Sequence, residues 1–212
     1  LRQSSGYLKS VYKNTVFRED LAGPKKILKD GESWVGYFIL GVELRHVEYA
    51  IMKEGHGRVF VVAVNTPTNM IIAGETVDVN SVILSLQNQK KGRWQSLVCQ
   101  QVDQPLIAHC PKVNEEIAKK IESIHQGLRI PINESVDCVS IVPSPHITEK
   151  GKSIGESVSK LLQEPANFVE LIEYVNGLSG EICWIECGCD NQRSSALRRL
   201  LPTSAQICSM NN

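Results

Sequence analysis

Residues 33–65 read SWVGYFILGVELRHVEYAIMKEGHGRVFVVAVN, and the way this stretch divides decides the fold class. Residues 33–40 are aromatic and apolar, which predicts a strand. Residues 45–51 place Val47, Tyr49 and Ile51 at alternate positions, so period-two alternation predicts a second strand with these side chains on one face. Glu54-Gly55-His56-Gly57 supplies turn chemistry, and residues 58–65, with the longest apolar run of the chain at 59–64, predict a third strand. Short connections between such strands point to antiparallel hairpins. Asn65-Thr66-Pro67-Thr68-Asn69 then breaks the sheet.

Further along, residues 76–87 are expected to be helical despite their valines, with Thr76 as N-cap. Residues 94–102 predict another strand after the Lys90-Lys91-Gly92 turn. A helix follows Pro111: Val113, Ile117, Ile121 and Ile124 form one stripe, Glu115 and Glu116 lie in the first turn where the dipole favours them, and Gly127 stands where a left-handed cap belongs. Residues 136–142 predict a short strand closing on Pro143. Pro165 is placed at the start of a second helix, with Phe168, Leu171, Ile172 and Val175 on one face and Gly177 past its end. A strand over 181–187 and a short basic helix around 196–200 complete the pattern. Upstream, Tyr7, Val11, Tyr12 and Phe17 give scattered strand signals before a Gly23-Pro24 turn.

Strands and helices come in blocks without regular βαβ alternation, so the expected class is α+β. The architecture expected is an antiparallel or mixed sheet packed against helices, with a small helix-containing C-terminal segment. A boundary near residue 162 divides residues 1–162 from residues 163–212. The chain begins at Leu1 and is read as a piece or processed product of a longer polypeptide.

Composition narrows the function classes. The 212 residues are 42% hydrophobic and 22% charged, enough to bury a core, and the longest apolar run is far short of the roughly 20 residues a membrane helix needs. Lys plus Arg and Asp plus Glu both number 23, which excludes a generally basic nucleic-acid binder. The basic clusters Lys25, Lys26 and Lys29, Lys90, Lys91 and Arg93, and Arg193, Arg198 and Arg199 are read as solvated surface.

Seven cysteines without framework spacing fit a reducing compartment. Cys183, Cys187 and Cys189, with Cys208 further on, hint at zinc, but their spacing is not that of a paired knuckle. Residues 182–187 read instead as an apolar strand with buried, reduced Cys, so no metal site and no cofactor are assigned. Gly151-Lys152-Ser153 lacks the upstream glycine of a P-loop, His146 standing in its place. The five histidines, His46, His56, His109, His125 and His146, are read with neither an H-E-x-x-H pattern nor a G-x-S-x-G nucleophile to pair with. No catalytic residue is assigned on these grounds.

One order of elements carries a resemblance. Gly127, Pro131, Ile132, Asn133, Val136, Pro143, Gly155, Val158, Ser159 and Lys160 follow the sequence of a glycine-ended helix, a Pro-Ile step, a proline-closed strand and a glycine followed by a β-branched-Ser-Lys triplet. Weaker echoes are Ala50-Ile51-Met52 and Trp184 with Leu201-Pro202. In this the chain resembles the central cap-binding region of the basic-2 subunit of orthomyxovirus RNA polymerases, distant from influenza and nearer the thogotovirus branch.

The resemblance implies a non-catalytic domain of a viral polymerase engaged in cap-snatching transcription. Its implied partners are the other polymerase subunits and capped host messenger RNA, without a membrane, in the host nucleus and the virion. Recognition of 7-methylguanosine needs aromatic rings stacked on a cationic base, a carboxylate and basic side chains. Aligned through the Ala50-Ile51-Met52 echo, Trp34 falls near one aromatic position and Tyr7 near another. The guanine-binding acid falls in Phe38-Ile39-Leu40 and the lysine on Glu54, which implies a degenerate pocket with weak or lost cap binding. The alternative is an interaction module of the polymerase that binds no nucleotide.

Overall fold

A computed structural model describes residues 34–90, 96–102, 109–110, 115–125, 127–129, 139–140, 146–147, 153–178, 180–187 and 192–209. The fold class is α+β, with a mixed five-stranded sheet packed against helices.

Its first part is a βαββαβ unit: β1 (Trp34–Leu40), α1 (Leu44–Glu54), β2 (Val59–Thr66), β3 (Asn69–Glu75), α2 (Thr76–Lys90) and β4 (Val98–Gln101). The strands lie in the order β4-β1-β3-β2, and every neighbouring pair is antiparallel. This is the split βαβ arrangement of ferredoxin-like domains.

The strand expected over residues 45–51 is therefore corrected to a helix, α1. The alternating set Val47, Tyr49 and Ile51 is not the set that is buried. Val47 and Ala50 are fully covered, with Leu44 and Ile51 packed beside them, whereas Tyr49 is 56% exposed. Positions 44, 47, 50 and 51 repeat at helical spacing, and Ala50 supplies the position the alternation overlooked. The other correction here is β3, which was not read between the Pro67 turn and Thr76. It pairs with both β1 and β2, running opposite to each.

The core lies between α1, α2 and one face of the sheet, where Ile39, Val42, Met70, Ile72, Val79, Val82, Leu86 and Leu97 have almost no exposed surface. Two glycines permit its tight corners. Gly41 has φ +80°, and a Cβ there would collide with the Ser96 backbone carbonyl; its N–H donates to the Thr68 carbonyl at 2.9 Å. At Gly74 a Cβ would run into the Arg58 carbonyl, which accepts the Glu75 N–H at 3.1 Å.

The second part contains α3 (Glu115–Ile124), β5 (Val139–Ser140), β6 (His146–Ile147), α4 (Ile154–Gln163), β7 (Ala166–Asn167), α5 (Phe168–Asn176), β8 (Cys183–Glu186), α6 (Gln192–Leu200) and β9 (Gln206–Ser209). Helix α3 occupies the predicted place; among its described side chains Ala118 and Ile121 are buried, as is His125 just past its end, while Ile124 is 45% exposed. It packs on α4, a helix not anticipated from the sequence. A Cβ on Gly155 would come within 2.8 Å of the Glu122 carbonyl, so this glycine lets the two helices touch.

Strand β7 pairs with β2 in parallel, Ala63 to Ala166 and Val64 to Asn167, and this makes the sheet mixed. Helix α5 starts at Phe168 rather than Pro165, because Asn167 provides the cap: its side-chain oxygen accepts the Glu170 N–H at 3.2 Å. Gly177 ends α5 as expected, although with a right-handed φ of −75°. Strands β8 and β9 form a separate parallel pair.

Candidate functional site

The face of the large sheet opposite α1 and α2 carries Val62 and Ala73, both buried with Cys110, and the half-buried Trp34, Phe60 and Ile71. The rings of Trp34 and Phe60 are stacked, 6.1 Å between centroids and 6° between planes. Cys110 packs on this apolar face, with His109 just before it in the chain. Cys110 has no exposed surface, and its N–H donates to the Leu162 carbonyl at the end of α4, 3.1 Å away. The turn is thereby tied to both halves of the chain.

His109, one residue before this anchor, has φ +63°. Left-handed backbone is uncommon for residues other than glycine, although His tolerates it better than most. Such conformations persist where the surrounding structure holds them, and they gather at functional sites. The His109 side chain is half-buried, with Nδ1 closed off from solvent. Imidazole is the side chain most often used to take and return a proton in catalysis. The neighbouring Cys110 thiol, buried among apolar side chains, acts as a small hydrophobe.

A second polar cluster binds the α1–β2 turn to the start of α2. The Asp78 carboxylate is only 3% exposed and meets His56 Nδ1 at 3.1 Å and Arg58 Nε at 2.6 Å, while Arg58 also reaches Glu75 at 2.5 Å. The Arg58 contact to Asp78 Oδ2 is a charge contact rather than an aligned hydrogen bond. His56 also has a positive φ, 47°, followed by Gly57 at 71°. Its ring is 64% exposed, so this histidine shapes an exposed turn. Near the edge of β2 an open cavity of about 370 Å³ is lined by Glu48, Ile51, Met52, Val59, Phe60, Val61 and Pro165.

Of the residues named from the sequence, Trp34 belongs to the apolar face just described, and Tyr7 lies outside the described residues. Their place in a cap pocket came from the resemblance alone. Among the described residues no group of His, Cys, Asp and Glu is arranged to hold a metal ion, and no helix is long and apolar enough to cross a membrane. Cys183, Cys187 and Cys208 are exposed rather than buried, a correction to the sequence reading.

Residues 151–155, GKSIG, do spell G-x-S-x-G, contrary to the reading of the histidines as lacking any such pattern. A nucleophile elbow sets its serine on a sharp, strained strand-to-helix turn. Ser153 has φ −63° and ψ 129°, and its hydroxyl accepts the Glu156 N–H at 3.5 Å as the N-cap of α4. Gly155 is the packing glycine between α3 and α4. The motif is used here for scaffolding.

No family model and no curated protein matches the chain. Solved structures do. The malonyl CoA-acyl carrier protein transacylase of Coxiella burnetii superposes with a TM-score of 0.73 at 17% identity, covering 89% of this chain and 57% of its own. A malonyl-transacylase solved with a type II polyketide synthase acyl-carrier protein gives 0.72 at 17% identity, covering 89% and 58%. An acyl carrier protein S-malonyltransferase of Vibrio cholerae gives 0.69 at 18% identity, covering 92% and 60%. At such identities the likeness shows the fold, and the chain spans somewhat over half the length of these proteins.

The expectation of an orthomyxovirus cap-binding domain is thereby overturned. With it go the cap-snatching role, the polymerase and capped-RNA partners, and both versions of a non-catalytic polymerase module, since the structures that share this fold are transacylases. The physical reason is visible in the echoes themselves. Gly155 permits a helix contact, and Val158, Ser159 and Lys160 are simply part of α4, roles that many folds need.

Proposed function

We propose that the chain is part of an acyltransferase that moves an acyl group between thiols, in the manner named for the malonyl-transacylases, and that His109 is its acid–base group. The observation that carries this reading is the shared fold over about nine-tenths of the chain, 89% for the transacylase of Coxiella burnetii. The placement of His109 supports it, because the left-handed turn and the Cys110 anchor fix an imidazole beside an apolar face suited to an acyl substrate. In the reaction His109 takes the proton of a nucleophile as that nucleophile attacks the thioester carbonyl. The acyl carbon–sulfur bond breaks, and His109 returns the proton to the departing thiolate. The nucleophile is assigned neither to Ser153, which caps α4, nor to Cys110, which is buried.

The test is transfer of labelled malonyl from malonyl-CoA to an acyl carrier protein, measured with the full product of the reading frame. His109→Asn lowers kcat by about 10²–10⁴-fold and removes the imidazole limb of the pH–rate profile. Ser153→Ala retains the rate. An unchanged rate in His109→Asn would sink the assignment.

A further inference from the structure

Strand β2 has a partner along the length of one edge but only along part of the other. Strand β3 accompanies it from Val59 to Thr66, whereas β7 joins the outer edge only at Ala63 and Val64. Over residues 59–62 no described strand lies outside β2. The Arg58 carbonyl faces β3, where it accepts the Glu75 N–H. Backbone groups alternate in direction along an antiparallel strand, so the N–H and C=O of Val59 and Val61 are turned outward. Exposed strand edges are usually blunted by charged residues or proline, and residues 59–62, VFVV, contain neither.

The open cavity of about 370 Å³ lies beside this stretch. Val59 and Val61 line it together with Ile51 and Met52 of α1, as does Pro165, the residue before β7. Met52 is 74% exposed, and its flexible thioether can adapt to an apolar group that meets it. Glu48, one turn before Met52, is the one charged residue of the lining. It is exposed and makes no ion pair with any described residue. A backbone edge, an apolar cavity and a lone carboxylate therefore stand side by side. An extended segment laid along such an edge bonds to the outward groups and sends alternate side chains to the same face. The open stretch is short, about 13 Å for four residues at roughly 3.3 Å each, which suits a linear peptide rather than another sheet.

We infer that residues 59–62 of β2, with the adjoining cavity, form a docking site for an extended, basic segment of a partner protein. The segment adds as a strand in line with β7, seats a β-branched or aromatic side chain against Ile51 and Met52, and sets a Lys or Arg two residues along the same face beside Glu48. Charge complementarity selects this occupant over a second copy of the chain, which would bring a second Glu48 to the same rim. The inference does not depend on the acyl-transfer reading, and its readout is binding.

Peptide selection tests it. Random heptapeptides displayed on phage are selected against the full product of the reading frame, and the enriched sequence is synthesised with a fluorophore for anisotropy titration. The enriched peptides carry a β-branched or aromatic residue two positions from Lys or Arg. Methylating alternate backbone nitrogens of the peptide abolishes binding in one phase and spares it in the other, because only one set of N–H groups faces β2. Glu48→Lys weakens binding at least about tenfold, leaves the melting temperature unchanged, and is rescued by a peptide with Glu in place of its basic residue. Enrichment of no such peptide, equal effects of the two methylation phases, or an unchanged affinity in Glu48→Lys would each overturn the inference. So would concentration-dependent self-association that the peptide displaces, which would make a second copy the occupant.

Discussion

The antiparallel strands β1–β4 and the parallel pair β8–β9 are both backed by two helices, yet they differ in what their second face needs. In the first, helices α1 and α2 cover one face completely and the residues at their contact, Ile39, Met70, Ile72 and Leu86, have no exposed surface. On its second face Val62 and Ala73 are buried with Cys110, and the half-buried Trp34 and Phe60 stack on each other. In the other, α5 and α6 cover Trp184 and Ile207 while Ile185 and three thiols face outward. An antiparallel sheet can leave a face to water when polar side chains occupy it. The β8–β9 face exposes Ile185 and three thiols beside Gln206 and Glu181, so the contrast teaches that, among the described residues, the antiparallel unit is the more fully packed of the two.

The most direct way to break this comparison is the same substitution in each sheet. Ile72→Ala removes a fully buried side chain and should cost about 2–5 kcal/mol in urea unfolding. Ile185→Ala in the 212-residue chain should stay within about 0.5 kcal/mol, because the residue is already 61% exposed. Comparable losses would show that the β8–β9 face is packed as well as the first.

A smaller effect is expected at Asp78, which joins the α1–β2 turn to α2. Asp78→Ala removes a carboxylate that is 3% exposed, while Arg58 keeps Glu75 and is itself 49% exposed. The cost should be about 1–3 kcal/mol in the same measurement, and an unchanged midpoint would mean that the antiparallel unit does not depend on this cluster. Asn167→Ala addresses the seam where β7 leaves the large sheet and α5 begins. Loss of the cap to the Glu170 N–H should cost about 1 kcal/mol.

The two regions were also unequally legible in the sequence. Strands β1 and β2 announce themselves through dense β-branched and aromatic residues, and α2 through its length and Thr76 start. Helix α1 was misread because Val47, Tyr49 and Ile51 happen to alternate, and Ala50 carries too little hydrophobicity to reveal the true stripe. In the C-terminal region β9, Gln206–Ser209, is too short and polar to be recognised, so its parallel pairing with β8 could not be seen. Helix α4 was hidden by Gly155 and its serines, whose value lies in close packing and capping. The site was least legible. His109 is marked by its backbone conformation and by the anchor at Cys110, neither of which leaves a motif, whereas the one visible nucleophile pattern, GKSIG, serves the scaffold.

The smallest effect calibrates the rest. On the exposed side of α3, Lys119 Nζ lies 2.7 Å from Glu115 Oε1, one helical turn away. The hydrogen bond from Lys119, and after it the charge of Lys119, holds the Glu115 carboxyl below its ordinary value of 4.5. A depressed folded-state pKa contributes stability that is present above the unfolded value and lost as pH falls through the folded one. Glu115→Gln should therefore lower stability slightly at neutral pH, and the loss should fade as pH falls through the depressed folded-state value. Both side chains are well solvated, so the neutral-pH loss should sit near the limit of detection. If Glu115→Gln instead matched Asp78→Ala, then burial of Asp78 would not be what makes its cluster matter. The contrast between the antiparallel unit and the rest of the chain would then have to rest on side-chain packing alone.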